Sequence, residues 1–293
     1  TTKHGKKGSS QINITADFGL QTLPYTLNTL GIDEYAASIR EARANDGNGL
    51  YNQIWDQKFD GKRQYINWQK EMTRPALRQQ YGISLNGGND KTQYSLSAGY
   101  MDVEGLVVNT NYNRFTLQSN TDTQLRNWLK ISSNITFSTD NKDNGSYSIG
   151  DTMNALPVLS VKDEDGEWSG PTGNAEWFGS VRNPIGTTYM NKSQTQGYNI
   201  LANFTGEIKF TKWLKFRSTF GYDAKFWYTD SFTPKYAWKP IAVEQSTRYR
   251  SNNKSFTYLW DNYFLFDHTF AKKHNVSLMA GTSAQWNKYD YIL

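Results

Sequence analysis

The chain has 293 residues, with 32 Lys and Arg against 27 Asp and Glu for a net charge of +5, no cysteine, 37 % hydrophobic residues and 15 % aromatics. The missing cysteines exclude disulfides, thiolate metal sites and cysteine nucleophiles. Interspersed charge speaks against nucleic acid, and no run approaches the roughly 18–20 apolar residues of a membrane helix.

Low hydropathy with many aromatics suits a barrel in which only alternate residues meet lipid and aromatic girdles mark both interfaces. The start shows no initiator Met, basic n-region or apolar h-region, so no signal peptide is read there. The one tight basic cluster, Lys3-His4-Gly5-Lys6-Lys7, is short and glycine-broken and reads as a solvated turn.

Nine strands follow in chain order from period-two alternation. The first is Gln11–Gly19, with Ile12, Ile14, Ala16 and Phe18 on one face. Then come Arg78–Gly87, Lys91–Met101, Tyr112–Asn120, Trp128–Thr139, Asn199–Phe210, Trp213–Tyr228, Lys254–Phe270 and His274–Lys288. In Trp128–Thr139, Leu129, Ile131, Ile135 and Phe137 oppose Lys130, Ser132, Asn134, Thr136 and Ser138. Strands of this length exceed those of soluble sheets and match tilted bilayer-spanning strands.

The links alternate in length. Leu20–Leu77, Asp102–Asn111, Asp140–Gln196 and Asp230–Asn253 are the longer ones. Gly88-Asn89-Asp90, Asp122–Asn127, Thr211-Lys212 and Ala271-Lys272-Lys273 are the shorter ones. In a hairpin barrel every second link lies on the same rim, so one rim carries tight turns and the other large loops, as in outer-membrane barrels. Within the loops, Asp33–Ala44 is expected to be a short helix with Asp33 as N-cap and Gly47 past its end, and Tyr65–Met72 a helical turn before Pro75.

Several stretches are similar to TonB-dependent outer-membrane receptors of the SusC/RagA branch found in Bacteroidetes. Thr1-Thr2-Lys3-His4-Gly5-Lys6-Lys7-Gly8 resembles the stretch that closes the plug and enters the first barrel strand. Trp68-Gln69 through Gly87-Gly88, Tyr94–Tyr100, Glu104-Gly105-Leu106, Tyr112–Thr116, Asn127–Lys130 and His274–Leu278 continue the likeness. The resemblance implies that residues 1–10 are the plug end and plug–barrel junction, and that residues 11–293 are the N-terminal part of the barrel. The implied fold class is all-β, an antiparallel up-and-down transmembrane barrel with long extracellular loops. About nine strands of a 22-stranded barrel would lie in this chain, the rest in residues not shown. TonB, a SusD-like surface lipoprotein and an oligosaccharide or peptide substrate are the implied partners, beside outer-membrane lipid. A passive porin or adhesin barrel, or a secreted β-rich carbohydrate-binding protein, would share parts of the pattern.

No catalytic constellation emerges. His4, His268 and His274 lack metal or triad spacing, and no serine sits in a Gly-x-Ser-x-Gly elbow. The acidic run Asp163-Glu164-Asp165-Gly166-Glu167 lacks EF-hand spacing and reads as a solvated loop, and neither metal nor cofactor is expected. The candidate solute contacts are loop aromatics: Trp168, Trp177 and Phe178 in one long loop, Tyr236 and Trp238 in another with Tyr228 at its edge. Flat rings stack on sugar faces and bury apolar area at little entropic cost. Trp55, Trp68, Trp128, Trp213, Trp227 and Trp260 are assigned to girdle or packing roles. The polar residues Asn134, Thr136, Asn203, Glu207 and Lys209 are expected to face the lumen.

Overall fold

The alternating runs form a single antiparallel sheet in the computed structural model, which describes residues 8, 10–47, 65–157, 159–162, 165–169, 183–236 and 243–292. Its strands are β1 (Ser10–Gln21), β2 (Ala76–Gly88), β3 (Thr92–Glu104), β4 (Asn111–Arg126), β5 (Leu129–Asp143), β6 (Lys192–Lys209), β7 (Leu214–Thr233), β8 (Thr247–Phe270) and β9 (His274–Ile292). They lie in the sheet in chain order, each hydrogen-bonded to the next. This is the up-and-down meander of a barrel wall, and the nine expected strands are all present. Of the expected plug junction only Gly8 and Ser10 are described; the Gly8 N–H donates to the Gly88 carbonyl at 3.0 Å, just ahead of β1.

The strands run further than the alternation suggested, mostly toward the long-loop rim. β6 begins at Lys192 rather than Asn199, and β8 at Thr247 rather than Lys254. Charged residues such as Asp140 and Asp230, at which the alternation ends, do not end the strands. Both faces are polar near this rim, so the ladder continues through them. The expected turn Asp122–Asn127 is likewise mostly strand. β4 reaches Arg126, with a register shift between Gln124 and Arg126.

Register sorts the side chains into two faces. On one, Ile14, Ile83, Ala98, Leu117, Phe137, Ile200, Ala224 and Phe256 are successive cross-strand partners from β1 to β8. One residue along, Thr15, Gly82, Gly99, Thr116, Ser138, Asn199, Lys225 and Ser255 form the matching row on the other. Burial is inverted relative to a soluble protein: Ile14 is 78 % exposed and Leu117 44 %, whereas Ser138 is 1 % and Asn120 4 %. A sheet curved with its polar face inward crowds small polar groups and splays large apolar ones outward. Each apolar Å² left in water forgoes about 25 cal/mol, so the convex face requires a hydrocarbon solvent.

Two aromatic rows bound that face. Toward the long-loop rim, Tyr81, Tyr100 and Phe115 are register neighbours, Phe18 packs edge-on to Tyr81 at 5.7 Å, and Phe226 packs edge-on to Phe256 at 5.5 Å. Toward the short turns, Phe216 lies 4.9 Å from Phe264 and Trp213 5.4 Å from Phe266. Along β7 the rows are separated by the stretch from Phe216 to Phe226. At about 3.3 Å per residue and a tilt of about 40–45°, that stretch rises roughly 24 Å, the height of an outer-membrane apolar band.

The links segregate as expected. Residues 89–91, 127–128, 210–213 and 271–273 are tight; 22–75, 105–110, 144–191 and 234–246 are longer and share the opposite rim. The conventional core sits there, among loops. It comprises Ala36, Trp68, Met72, Ala155, Leu156, Leu159 and Ile185. Helix α1 (Ile32–Asn45) contributes Ile32, Tyr35, Ala36 and Ile39, one stripe at helical spacing. Its N-cap is Gly31 rather than the expected Asp33, because Glu34 reaches back to accept the Gly31 N–H at 2.9 Å. Gly47 past its end adopts φ 73°, a left-handed value that glycine takes without strain.

Candidate functional site

Two surfaces at the long-loop rim are placed to meet a solute: the loop cap and the upper part of the polar face. Among the described residues, the cap holds three short helices besides α1. α2 (Trp68–Met72), α3 (Ile149–Asn154) and α4 (Pro184–Met190) are each capped by the preceding side chain, Asn67, Ser148 and Asn183. Asn183 also donates to the carbonyls of Val161 (2.8 Å) and Ser169 (2.9 Å), pinning the loop ahead of α4.

Bonds between loops weld the cap. The Trp68 indole donates to Leu156 O at 2.8 Å, Ile66 N to Pro157 O at 3.0 Å, and Val108 N to Met72 O at 2.9 Å. Asn109, at φ 58°, donates from its side chain to Thr188 O at 2.8 Å. The described parts of the loops 22–75, 105–110 and 144–191 therefore form one body. A cavity of about 500 Å³ opens between the first and the third, lined by Asn28, Glu34, Tyr35, Trp68 and Asn154 among others. Gln69 on its wall is already engaged with both the N–H (2.9 Å) and the carbonyl (2.8 Å) of Leu27.

The expected loop aromatics are placed as follows. Trp168 is half-buried and stacked on Tyr189 at 5.5 Å and 12°, with Lys162 Nζ 4.4 Å from its centroid. Tyr236 is buried and bridges to Val243 through backbone bonds of 3.2 and 2.8 Å. Trp177, Phe178 and Trp238 lie outside the described residues, as do Asp163 and Glu164 of the acidic run. Tyr228 stands on the convex face and donates to Asp230 at 3.0 Å; that carboxylate also takes Arg248 Nε at 2.8 Å and Arg250 Nε at 3.3 Å.

On the concave face the register unites all five expected polar residues: Asn134 pairs with Asn203, and Thr136, Glu207 and Lys209 share their parity. Glu207 accepts two bonds from Arg217, Nη2 at 2.6 Å and Nε at 3.2 Å, and Arg217 reaches Tyr263 OH at 3.2 Å. Lys130 meets Asp122 at 3.4 Å on the neighbouring strands.

Of the girdle or packing role expected of Trp227, the register leaves packing: it has the opposite parity to Phe216, Phe220 and Phe226, pairs with Gly197 and Asn253 on the polar face, and packs 5.9 Å from Tyr289. Tyr289 and Tyr291 share that face, and sequence reasoning passed over them. Their odd numbering in β9, opposite to Ala284 and Trp286, was the available signal.

No family model matches the chain. It is 24 % identical over 299 residues to TonB-dependent receptor P3 of Formosa agariphila, covering 97 % of this chain and 28 % of that protein. It is 26 % identical over 238 residues to TonB-dependent receptor SusC of Bacteroides thetaiotaomicron, covering 72 % of this chain and 22 % of that one. Among solved structures, the RagAB peptide transporter superposes with a TM-score of 0.77 at 19 % identity, over 99 % of this chain and 36 % of that chain. The chain thus spans well under a third of the curated relatives it matches.

Proposed function

Since the chain is a stretch of outer-membrane β-barrel wall of the SusC/RagA type, we propose that the receptor containing it imports a bulky solute, an oligosaccharide, by a TonB-dependent mechanism. The observation that carries this is the segregation of one sheet into a lipid-type convex face, a polar concave face and a single rim of welded loops. If the wall closes into the 22-stranded barrel that the resemblance implies, its lumen is of the kind filled by a plug. Moving a plug needs energy that the outer membrane does not store, hence an inner-membrane partner. Residues 1–10 are proposed as the end of that plug, and of them Gly8 is bonded to Gly88 just ahead of β1.

A SusD-like lipoprotein is the proposed lid over the loops, and the loop aromatics Trp168, Trp177, Phe178, Tyr236 and Trp238 are proposed to line the entry. No catalytic role is assigned to any residue. The test is uptake of fluorescent oligosaccharides by cells carrying or lacking the full-length receptor, with and without a proton-motive-force uncoupler. Uptake should require both the receptor and the force. Uptake that persists with the uncoupler would make this a passive pore, and receptor-dependent uptake of peptides alone would replace the substrate class.

A further inference from the structure

On the concave face, just below the long-loop rim, one hydrogen-bonded row crosses five strands: Asp140, Gly197, Trp227, Asn253 and Tyr291. The next row toward the turns holds Ser138, Asn199, Lys225, Ser255 and Tyr289. Together they gather three aromatic rings: Trp227 lies 5.9 Å from Tyr289, and Tyr289 6.2 Å from Tyr291 at an interplanar angle of 30°. The Tyr289 hydroxyl donates to Asn253 at 2.9 Å, fixing the middle ring.

Beside these rings stands a polar group of mixed donors and acceptors. Asn199 donates to Asp223 at 3.1 Å, Lys225 pairs with the same carboxylate at 3.3 Å, and Asp140 lies next to Gly197. Gly197 keeps the row open. A Cβ there would stand 2.8 Å from the Asp140 carboxylate, so any side chain would crowd the space between the acid and the indole.

We infer that this ledge is a solute-binding platform on the barrel wall, and that it takes pyranose rings of an oligosaccharide. The inference rests on the import function proposed above and adds the residues that would confer its specificity. Adjacent aromatic faces offer stacking surface to the axial C–H groups of a sugar, while Asp140, Asn199, Asp223 and Lys225 offer the alternating acceptors and donors that ring hydroxyls need. An extended peptide would instead look for unpaired backbone N–H and C=O groups, and here the strands on either side of the row have used theirs in the ladder. Within this sheet the three rings sit together on β7 and β9, facing one another across β8.

The test uses detergent-purified full-length receptor and isothermal titration with maltohexaose, xylohexaose and mannohexaose, alongside a mixed hexapeptide pool. For the hexasaccharide that the wild type binds, Trp227→Ala is expected to weaken affinity roughly threefold to tenfold. Trp227→Phe should stay within about twofold, since it keeps a flat ring. Tyr291→Ala serves as a second variant, because it removes another ring of the same cluster while the backbone ladder between Asn253 and Tyr291 stays in place. Heat-modifiable migration on gels verifies that each variant barrel is closed.

Unchanged hexasaccharide affinity in Trp227→Ala and Tyr291→Ala would overturn the ledge while leaving the import function standing. A wild type that binds peptides and no hexasaccharide would overturn the sugar assignment. Normal hexasaccharide binding without energised uptake would remove the import function and keep the ledge.

Discussion

The barrel wall and the loop cap obey opposite rules, although both come from one chain. In the wall, apolar side chains point to the convex exterior, and small polar residues such as Ser95, Asn120 and Ser138 are the buried ones. In the cap, Trp68, Met72, Leu156 and Ile185 are buried against one another as in any soluble domain. Burial therefore reports the local solvent. The wall is ordered by its backbone ladder and by lipid outside, the cap by water around a small dry centre.

The sharpest way to break this contrast is inside the cap. Trp68→Ala removes a ring that is 4 % exposed and its bond to Leu156 O, and should cost about 3–5 kcal/mol of local stability. Hydrogen exchange should show fast opening across 22–75 and 144–191, with protection in β2–β9 unchanged. Loss of protection in the strands as well would mean that the cap and the wall are one cooperative unit.

Within the wall, neighbouring residues test the two faces against each other. Leu117→Arg puts a charge toward lipid two residues inside the Phe115 row and should cost about 1–2 kcal/mol in urea unfolding from bilayers. Gln118→Arg, one residue on and facing inward, should stay within about 1 kcal/mol. Equal penalties would refute the assignment of faces. A double-mutant cycle on Glu207 and Arg217 should give a coupling of about 1 kcal/mol, since the carboxylate is only 10 % exposed but the guanidinium 38 %. The smallest effect is expected at Asp17 and Arg78, 3.9 Å apart and 67 % and 42 % exposed. There Asp17→Asn should shift the unfolding midpoint by less than the scatter of replicate melts.

The wall was legible in the sequence because period two is a local signal. All nine strands, the rim asymmetry and the inward set Asn134, Thr136, Asn203, Glu207 and Lys209 can be read from spacing alone. Parity also separates the two roles open to Trp227: its odd position next to Phe226 puts it on the polar face, packing against Tyr289 rather than joining the girdle. The cap was barely legible. Its helix caps Asn67 and Asn183 are local, but its core joins Trp68 to Leu156 and Met72 to Val108 across distant stretches of chain that no periodicity links. For the loop aromatics, sequence supplied the residue type but not the company. Trp168 has a neighbour on its ring in Tyr189 and a cation in Lys162, contacts that only the folded loop creates.

The welding of three loops into one body has a consequence for diversity. Loops on a barrel rim are usually pictured as independent modules, each free to lengthen, shorten or be exchanged. Here the first contributes Trp68, the second Val108 and a later one Leu156 and Ile185 to the same small core. Replacing one loop with that of a relative would import half of an interface without its counterpart. Variation at this mouth should therefore occur as matched sets of changes across all three segments, whereas the link 234–246, which supplies nothing to that core among its described residues, is the one placed to vary alone.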